Sequence, residues 1–206
     1  MRPANRWVML AGSVGGLVLG AVDFLWIRFV PFPLAELGNS TATWAAAAFL
    51  FGWWVRSGWV RAAIGASVGL VLAVPAYYVT ATLVNGDDVA VLWAPTSLVW
   101  MLMGVLAGVV FGGAGVWARG AGWLAAVGLA LPAAAFLEEA ARFALRLGDP
   151  DYSGSVAWNV AIDVALAVLI VWLAGRTARG RVLALACALP LAALGFGAFL
   201  LVGAAT

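Results

Sequence analysis

The segment GWLAAVGLALPAAAFLEEAARFAL, residues 122–145, is a long apolar run that ends in two glutamates and an arginine. It is typical of the whole chain, in which 66% of the 206 residues are hydrophobic and only 10% are charged. A soluble domain carries about a quarter charged residues. Ionisable groups in a bilayer are costly and usually have a partner or a function. The cluster of Glu138, Glu139 and Arg142 is therefore where we expect a function.

Seven apolar runs of this kind are separated by short polar turns. A helix of about 20 apolar residues is long enough to cross a bilayer. We therefore predict an all-α membrane protein, with residues 1–206 forming one bundle of seven transmembrane helices. The predicted helices cover residues 7–27, 40–55, 62–84, 91–117, 122–145, 155–174 and 182–202. Because the second is short, six helices plus a re-entrant segment is the alternative, and residues 31–55 would either span or re-enter.

Two stripes of glycine recur at intervals of four residues. Gly12, Gly16 and Gly20 lie in the first predicted helix, and a second stripe lies in the fourth, at Gly104, Gly108 and Gly112. Small residues at this spacing let two membrane helices approach closely. We therefore predict that each stripe faces a neighbouring helix.

The charges are unevenly distributed between the two sides of the predicted bundle. With seven spans, one side carries eight of the eleven basic residues, all of them arginine: Arg2, Arg6, Arg56, Arg61, Arg119, Arg176, Arg179 and Arg181. The positive-inside rule then predicts a cytoplasmic N-terminus and an external C-terminus. All nine acidic residues fall in the external half.

Several residue types that carry chemistry are missing. The chain has no histidine and no lysine, which excludes Ser-His and Cys-His catalysis, histidine-ligated zinc and Schiff-base chemistry. A single cysteine, Cys187, allows neither an internal disulfide nor a thiolate metal cluster. We expect no cofactor, no metal site and no nucleic-acid partner. Intramembrane glutamate proteases use Glu-Glu, three residues and then Arg, together with histidines; here the spacing is one residue shorter, which excludes that activity.

Asp163 is the deepest charge, eight residues or about 12 Å into the sixth predicted helix. Without a partner it would cost about 2.5–3.5 kcal/mol at a helix centre, so it should face the bundle interior, on the same face as Asn159. The predicted ligand-binding residues are Asp23, Asn39, Tyr77, Tyr78, Glu138, Glu139, Arg142, Trp158, Asn159 and Asp163. Each has a structural alternative: an interfacial ion pair, an interhelical hydrogen bond, a helix cap at residues 39–41, or the aromatic belt.

Four stretches together resemble a known family. They are Asn39-Ser-x-x-x-Trp44 with Ala-Phe-Leu-x-Gly52, Tyr77-Tyr78, Leu106-Ala-Gly-Val-Val-Phe-Gly-Gly-Ala-Gly-Val-Trp117 and Phe136-Leu-Glu-Glu-Ala-Ala-Arg-Phe143. The chain resembles an uncharacterised family of small actinobacterial integral membrane proteins over most of residues 10–175. The resemblance implies a multi-pass protein of the bacterial plasma membrane and no particular chemistry. Glu138 departs from the small or apolar residue expected there, so Glu139 and Arg142 are the family-type positions.

Three functions remain open. In the first, an outward-facing acidic and aromatic pocket binds a small molecule, as a transport or substrate-capture module, with a further membrane subunit as a candidate partner. In the second, an intramembrane enzyme similar in plan to membrane-bound terpene cyclases acts on a lipid-like substrate, with Asp163 or Glu139 as the catalytic acid. In the third, the charges only hold the bundle of a structural or accessory protein together.

Overall fold

The computed structural model describes residues 4–56, 58–149 and 156–205, with side chains up to residue 201. Arg2, Asp151 and Ser155, which the predictions used, lie outside these residues. The regular structure of the described residues is all helical, with no strand. Its helices are α1 (Asn5–Phe29), α2 (Thr41–Val55), α3 (Trp59–Asn85), α4 (Pro95–Ala118), α5 (Gly122–Ala144), α6 (Val156–Ala174) and α7 (Ala178–Ala205).

Six of these helices are long and apolar enough to cross a membrane, and α2 is the exception. With 15 residues, α2 is about 22 Å long, which is less than the roughly 30 Å of a bilayer's hydrocarbon core. The prediction of an all-helical, polytopic membrane protein is confirmed. The chain has seven helices in its described part, and six of them are candidate spans.

The first glycine stripe packs α1 directly onto α3. A methyl group added at Gly12 would lie 2.5 Å from the carbonyl oxygen of Gly65, and one at Gly16 would overlap that of Gly69. Gly20 meets Ala73 in the same way. The prediction of close packing at this stripe is confirmed. Because the residue numbers rise together along both helices, α1 and α3 run parallel.

The second stripe packs α4 onto α3 in the opposite direction. Gly104 lies against Leu70, whereas Gly108 lies against the backbone of Ser67. The close packing predicted for this stripe is confirmed as well. The short helix α2 carries the chain back between α1 and α3, with Ala48 packed beside Leu70. Its glycine Gly52 lies against the backbone of α4.

Helix α5 joins this group to the last two helices. The largest apolar core is centred on it and includes Leu129, Phe136, Phe49 of α2 and Val171 of α6. Helix α5 contacts α6 and α7 extensively, whereas α6 and α7 barely touch each other. Pro132 lies inside α5, and the helix continues through it.

The connection between α1 and α2 folds back against α1. Residues Leu34–Gly38 form a short 3-10 segment, which Trp26 holds by donating its indole N–H to the carbonyl of Leu34 at 2.7 Å. Gly38 packs beside Ile27 and the carbonyl of Asp23. Asp23 precedes the end of α1 by six residues, or about 9 Å. The N-terminus of α2 therefore begins inside the bundle, below the end of α1.

The start of α4 differs from the prediction, which placed it at residue 91. Residues Val89–Trp93 form a separate 3-10 segment and α4 begins at Pro95. A proline favours the first position of a helix, because it has no N–H to leave unbonded. It also keeps the preceding residue extended, as observed at Ala94 with φ −61° and ψ 147°.

Candidate functional site

The N-terminus of α2 is held by the carboxylate of Glu139 from α5. Ser40 donates its hydroxyl to Oε2 at 2.5 Å, and Thr41 donates its hydroxyl to Oε1 at 2.7 Å. The backbone N–H of Ala42 donates to Oε1 at 3.2 Å. The first N–H groups of a helix have no partner within the helix, and an anion beside them is favourable. Glu139, which is only 4% exposed, therefore caps a buried helix end from another helix.

Arg142 completes this arrangement one turn further along α5. Its Nη2 donates to Oε1 of Glu139 at 3.1 Å, and its Nε lies 2.9 Å from Oε1 of Glu138. Its guanidinium also lies over the ring of Phe199, 5.2 Å from the centroid. Both glutamates thus pair with the same guanidinium group, so Glu138, Glu139 and Arg142 form a salt-bridge network. We call Ser40, Thr41, Glu139 and Arg142 the α2 clamp.

One cavity of about 210 Å³, which we call the polar cavity, lies on the α6 side of the clamp. It is lined by Pro33, Glu36, Leu37, Asn39, Ser40, Glu139, Arg142, Phe143, Arg146, Asn159, Ile162, Asp163 and Phe199. Asn159 and Asp163 are 6% and 3% exposed. Within the described residues, Oδ1 of Asn159 and Oδ2 of Asp163 have no hydrogen-bond partner. Two buried acceptors on one face of α6 thus line this cavity without a donor.

A second cavity of about 250 Å³, which we call the aromatic cavity, lies on the opposite side of the α2 entry. It is lined by Asp23, Ile27, Gly38, Asn39, Ser40, Thr41, Trp44, Leu70, Val74, Tyr77, Tyr78, Trp100, Met103, Gly104 and Ala107. Asp23 is 7% exposed and accepts a hydrogen bond from the indole of Trp44 at 3.2 Å. Tyr77 packs edge-to-face on Tyr78, with the ring centroids 5.3 Å apart. One carboxylate thus lies among four aromatic side chains.

The tyrosine pair also forms one wall of an outer cleft. Tyr77 and Tyr78 line this cleft together with Arg28, Asp87 and Asp88. Asp87 and Asp88 are exposed in the turn that follows α3. The aromatic cavity therefore lies directly behind an acidic surface, with the tyrosine pair between them.

The structure separates the predicted site residues into two groups. Asp23, Tyr77 and Tyr78 line the aromatic cavity. The polar cavity is lined by Glu139, Arg142, Asn159 and Asp163. Asn39 lines both cavities.

Two predicted site residues lie outside both cavities. Trp158 is 65% exposed, because it projects from a different side of α6 than Asn159 and Asp163. Glu138 pairs with Arg142 and packs towards Gly195 of α7. The sequence places both residues beside site residues, but neighbours on a helix point about 100° apart.

Sequence reasoning assigned Ser40 and Thr41 only to the cap of α2 and missed their bond to Glu139. Ser40 is indeed the cap residue, since its hydroxyl accepts from the N–H of Thr43 at 3.0 Å. A signal was present: α2 is too short to reach both membrane surfaces, so one end must find an acceptor within the protein. Trp100 of the aromatic cavity was missed as well, and its sequence context gives no such signal.

A family model described as a family of unknown function (DUF6518) matches residues 2–205. No curated protein and no solved structure matches the chain. Among the described residues, no three acidic or cysteine side chains converge as metal ligands.

Proposed function

The chain belongs to this family of unknown function, and we propose from its own geometry that it binds a small organic cation in the aromatic cavity. The observation that carries the proposal is the position of Asp23, a buried carboxylate and the one charged side chain among the residues that line this cavity. A buried carboxylate is costly unless a positive charge or several donors satisfy it. The indole of Trp44 supplies one donor, which leaves room for a cationic ligand.

The rest of the wall suits an ammonium group that carries alkyl substituents. Cations are attracted to the faces of tryptophan and tyrosine, and Trp44, Trp100, Tyr77 and Tyr78 surround the same space as Asp23. A volume of about 250 Å³ is below the roughly 300–1,000 Å³ of drug-sized pockets. We therefore assign the ligand to small methylated or short-chain alkyl ammonium compounds.

The surface outside the cavity supports the same charge preference. Asp87 and Asp88 line the outer cleft that meets the tyrosine pair. Arg28 lines the cleft as well, so its formal charge is −1 (2 negative, 1 positive), and a net negative cleft raises the local concentration of cations. Entry of a cation past Tyr77 and Tyr78 is consistent with a capture or transport role, in which the cleft receives the ligand.

Choline and its uncharged isostere 3,3-dimethyl-1-butanol test this assignment directly. We expect isothermal titration of the purified protein to show binding of choline and at least tenfold weaker binding of the alcohol. Asp23→Asn should weaken choline binding about 10- to 100-fold, since bonds to a charged group contribute about 1.5–3 kcal/mol. Asp163→Asn, which changes the other cavity, serves as the control and should bind choline as the wild type does.

Equal binding of choline and the alcohol, or an Asp23→Asn variant with unchanged affinity, would exclude the organic-cation assignment. If no member of an alkylammonium series binds, the accessory role is favoured. The enzyme alternative would rest on Asp163, because four donors already occupy the carboxylate of Glu139. Conversion of an isoprenoid substrate that is lost in Asp163→Asn would select it.

The orientation of the bundle belongs to the same proposal. We place the single domain in a bacterial plasma membrane of actinobacterial type, with the N-terminus in the cytoplasm. In this arrangement α2 crosses as a seventh, short segment, because α1 and α3 run parallel and the chain must return between them. Arg61, which donates to Asn5 at 3.3 Å, and Arg119, which stacks on Trp53 at 4.4 Å, would then lie on the cytoplasmic side.

A reporter fused after Thr206 tests this topology. Seven crossings place the C-terminus outside, so alkaline phosphatase should be active there and a fluorescent protein that folds only in the cytoplasm should stay dark. The same pair of reporters fused after Arg119 should give the reverse pattern. The opposite result at both positions, with active phosphatase after Arg119 and cytoplasmic fluorescence after Thr206, would mean six crossings and a re-entrant α2.

A further inference from the structure

The two unbonded acceptors of the polar cavity lie one turn apart on α6. Oδ1 of Asn159 and Oδ2 of Asp163 have no hydrogen-bond partner among the described residues, and both side chains are more than nine-tenths buried. Most buried polar groups in native proteins have a partner, and a buried charge without one is especially costly. Oδ1 of Asn159 accepts, and Oδ2 of Asp163 accepts when its carboxyl group is ionised. Whatever satisfies them must therefore supply donors or a positive charge.

We propose that the polar cavity is a second binding site, which takes a small monovalent cation at Asp163 and Asn159. The charge of its wall supports one positive charge. Three carboxylates, of Glu36, Glu139 and Asp163, and two guanidinium groups, of Arg142 and Arg146, line the cavity, which leaves a formal charge of −1 (3 negative, 2 positive). Glu138, outside the lining, shares Arg142, so the surplus is at least one negative charge, which a bound monovalent cation reduces.

The arginines in the wall do not take the place of this cation. The guanidinium of Arg142 is held by Glu138 and Glu139 at 2.9 and 3.1 Å. Arg146 lies beyond the end of α5 and is exposed. The carboxylate of Glu139 is likewise taken up by the α2 clamp. Asp163 is the carboxylate in this wall that is deeply buried and has an unbonded oxygen.

The cavity has the size and the oxygen atoms that such a cation needs. A water molecule occupies about 30 Å³ of liquid, so about 210 Å³ holds a cation together with several waters. Glu36 and Asn39 add further oxygen atoms at the mouth. The N-terminus of α2, which also borders the cavity, is the positive end of a helix, but the carboxylate of Glu139 already lies against it. The chemistry fits Na⁺, K⁺ and ammonium alike.

Thermal unfolding in detergent at pH 8 tests the proposal. The chlorides of Na⁺, K⁺ and NH₄⁺ are compared with N-methyl-D-glucamine chloride, a bulky cation, at constant ionic strength. A ligand of the native state raises the unfolding midpoint in a saturable way. We expect one or more of the small cations to do so in the wild type, and the one that acts identifies the occupant. A midpoint that no small cation changes overturns the proposal, and would fit a proton shared between Asp163 and Asn159.

Three variants separate this site from a structural role. Asp163→Asn should need at least a tenfold higher cation concentration for the same rise in midpoint. In N-methyl-D-glucamine it should unfold at a higher midpoint than the wild type, because it removes a buried charge. Asp23→Asn, in the aromatic cavity, should keep the response. If Asp163→Asn fails to fold, Asn159→Ala decides, with about a tenfold weaker response expected. An unchanged response in the folded Asp163→Asn, or in Asn159→Ala, contradicts the proposal whether or not choline binds.

Discussion

Replacing Glu139 by leucine is expected to lower the free energy of unfolding by about 3–5 kcal/mol, the usual cost of removing one partner from a buried ion pair. The substitution leaves the hydroxyl groups of Ser40 and Thr41 and the N–H of Ala42 without their acceptor. It also leaves Arg142 with Glu138 alone. Titration of the folded protein with SDS in mixed micelles measures the change.

Glu138→Gln is the matched control. Glu138 precedes Glu139 directly and binds the same arginine, but its side chain is 16% exposed and it takes no part in the cap of α2. The side chains of Arg142 and Glu138 are 30% and 16% exposed, and we expect their pair to contribute no more than about 1 kcal/mol. If Glu139→Leu costs no more than Glu138→Gln, the clamp does not hold α2.

Replacing Gly16 by alanine is expected to cost about 1–3 kcal/mol, as overpacking of a well-packed interior does. The added methyl group would overlap the carbonyl oxygen and Cα of Gly69, so that α1 and α3 must move apart. At Gly12 and Gly20 α1 also lies too close to the backbone of α3 to admit a methyl group, which prevents a local adjustment. The free energy of unfolding from SDS titration reports this change too.

Gly15→Ala makes the same chemical change one residue away and is the control. A methyl group at Gly15 would meet nothing within 4 Å, so the variant should be neutral or more stable by up to about 1 kcal/mol, the helix propensity difference. Equal effects of Gly15→Ala and Gly16→Ala would contradict the packing of α1 on α3.

The long-range packing of α1, α3 and α4 could be predicted because it depends on a periodic local pattern. Glycines four residues apart share a helix face, and in a bilayer such a face packs closely. The sequence does not say which helix is the partner. Both stripes contact α3. This pairing depends on α2, which brings the chain back so that α3 runs parallel to α1.

Only part of the arrangement around the candidate site could be predicted. Burial cost placed Asp163 in the interior, where the structure has it. The division into two cavities was missed, because it depends on the contact of Ser40 and Thr41 with Glu139, across 99 and 98 residues of sequence. Because the sequence does not reveal that contact, it predicts one acidic and aromatic region in the outer half.

The coupling energy between Thr41 and Glu139 tests most directly the claim that the clamp places α2 between the two cavities. The measurement is a double-mutant cycle of Thr41→Val and Glu139→Leu, scored by the free energy of unfolding in mixed micelles. A hydrogen bond to a charged group predicts a coupling of about 1.5–3 kcal/mol. Effects that add within about 0.5 kcal/mol, as those of independent sites do, would contradict the clamp and the division of the outer half that follows from it.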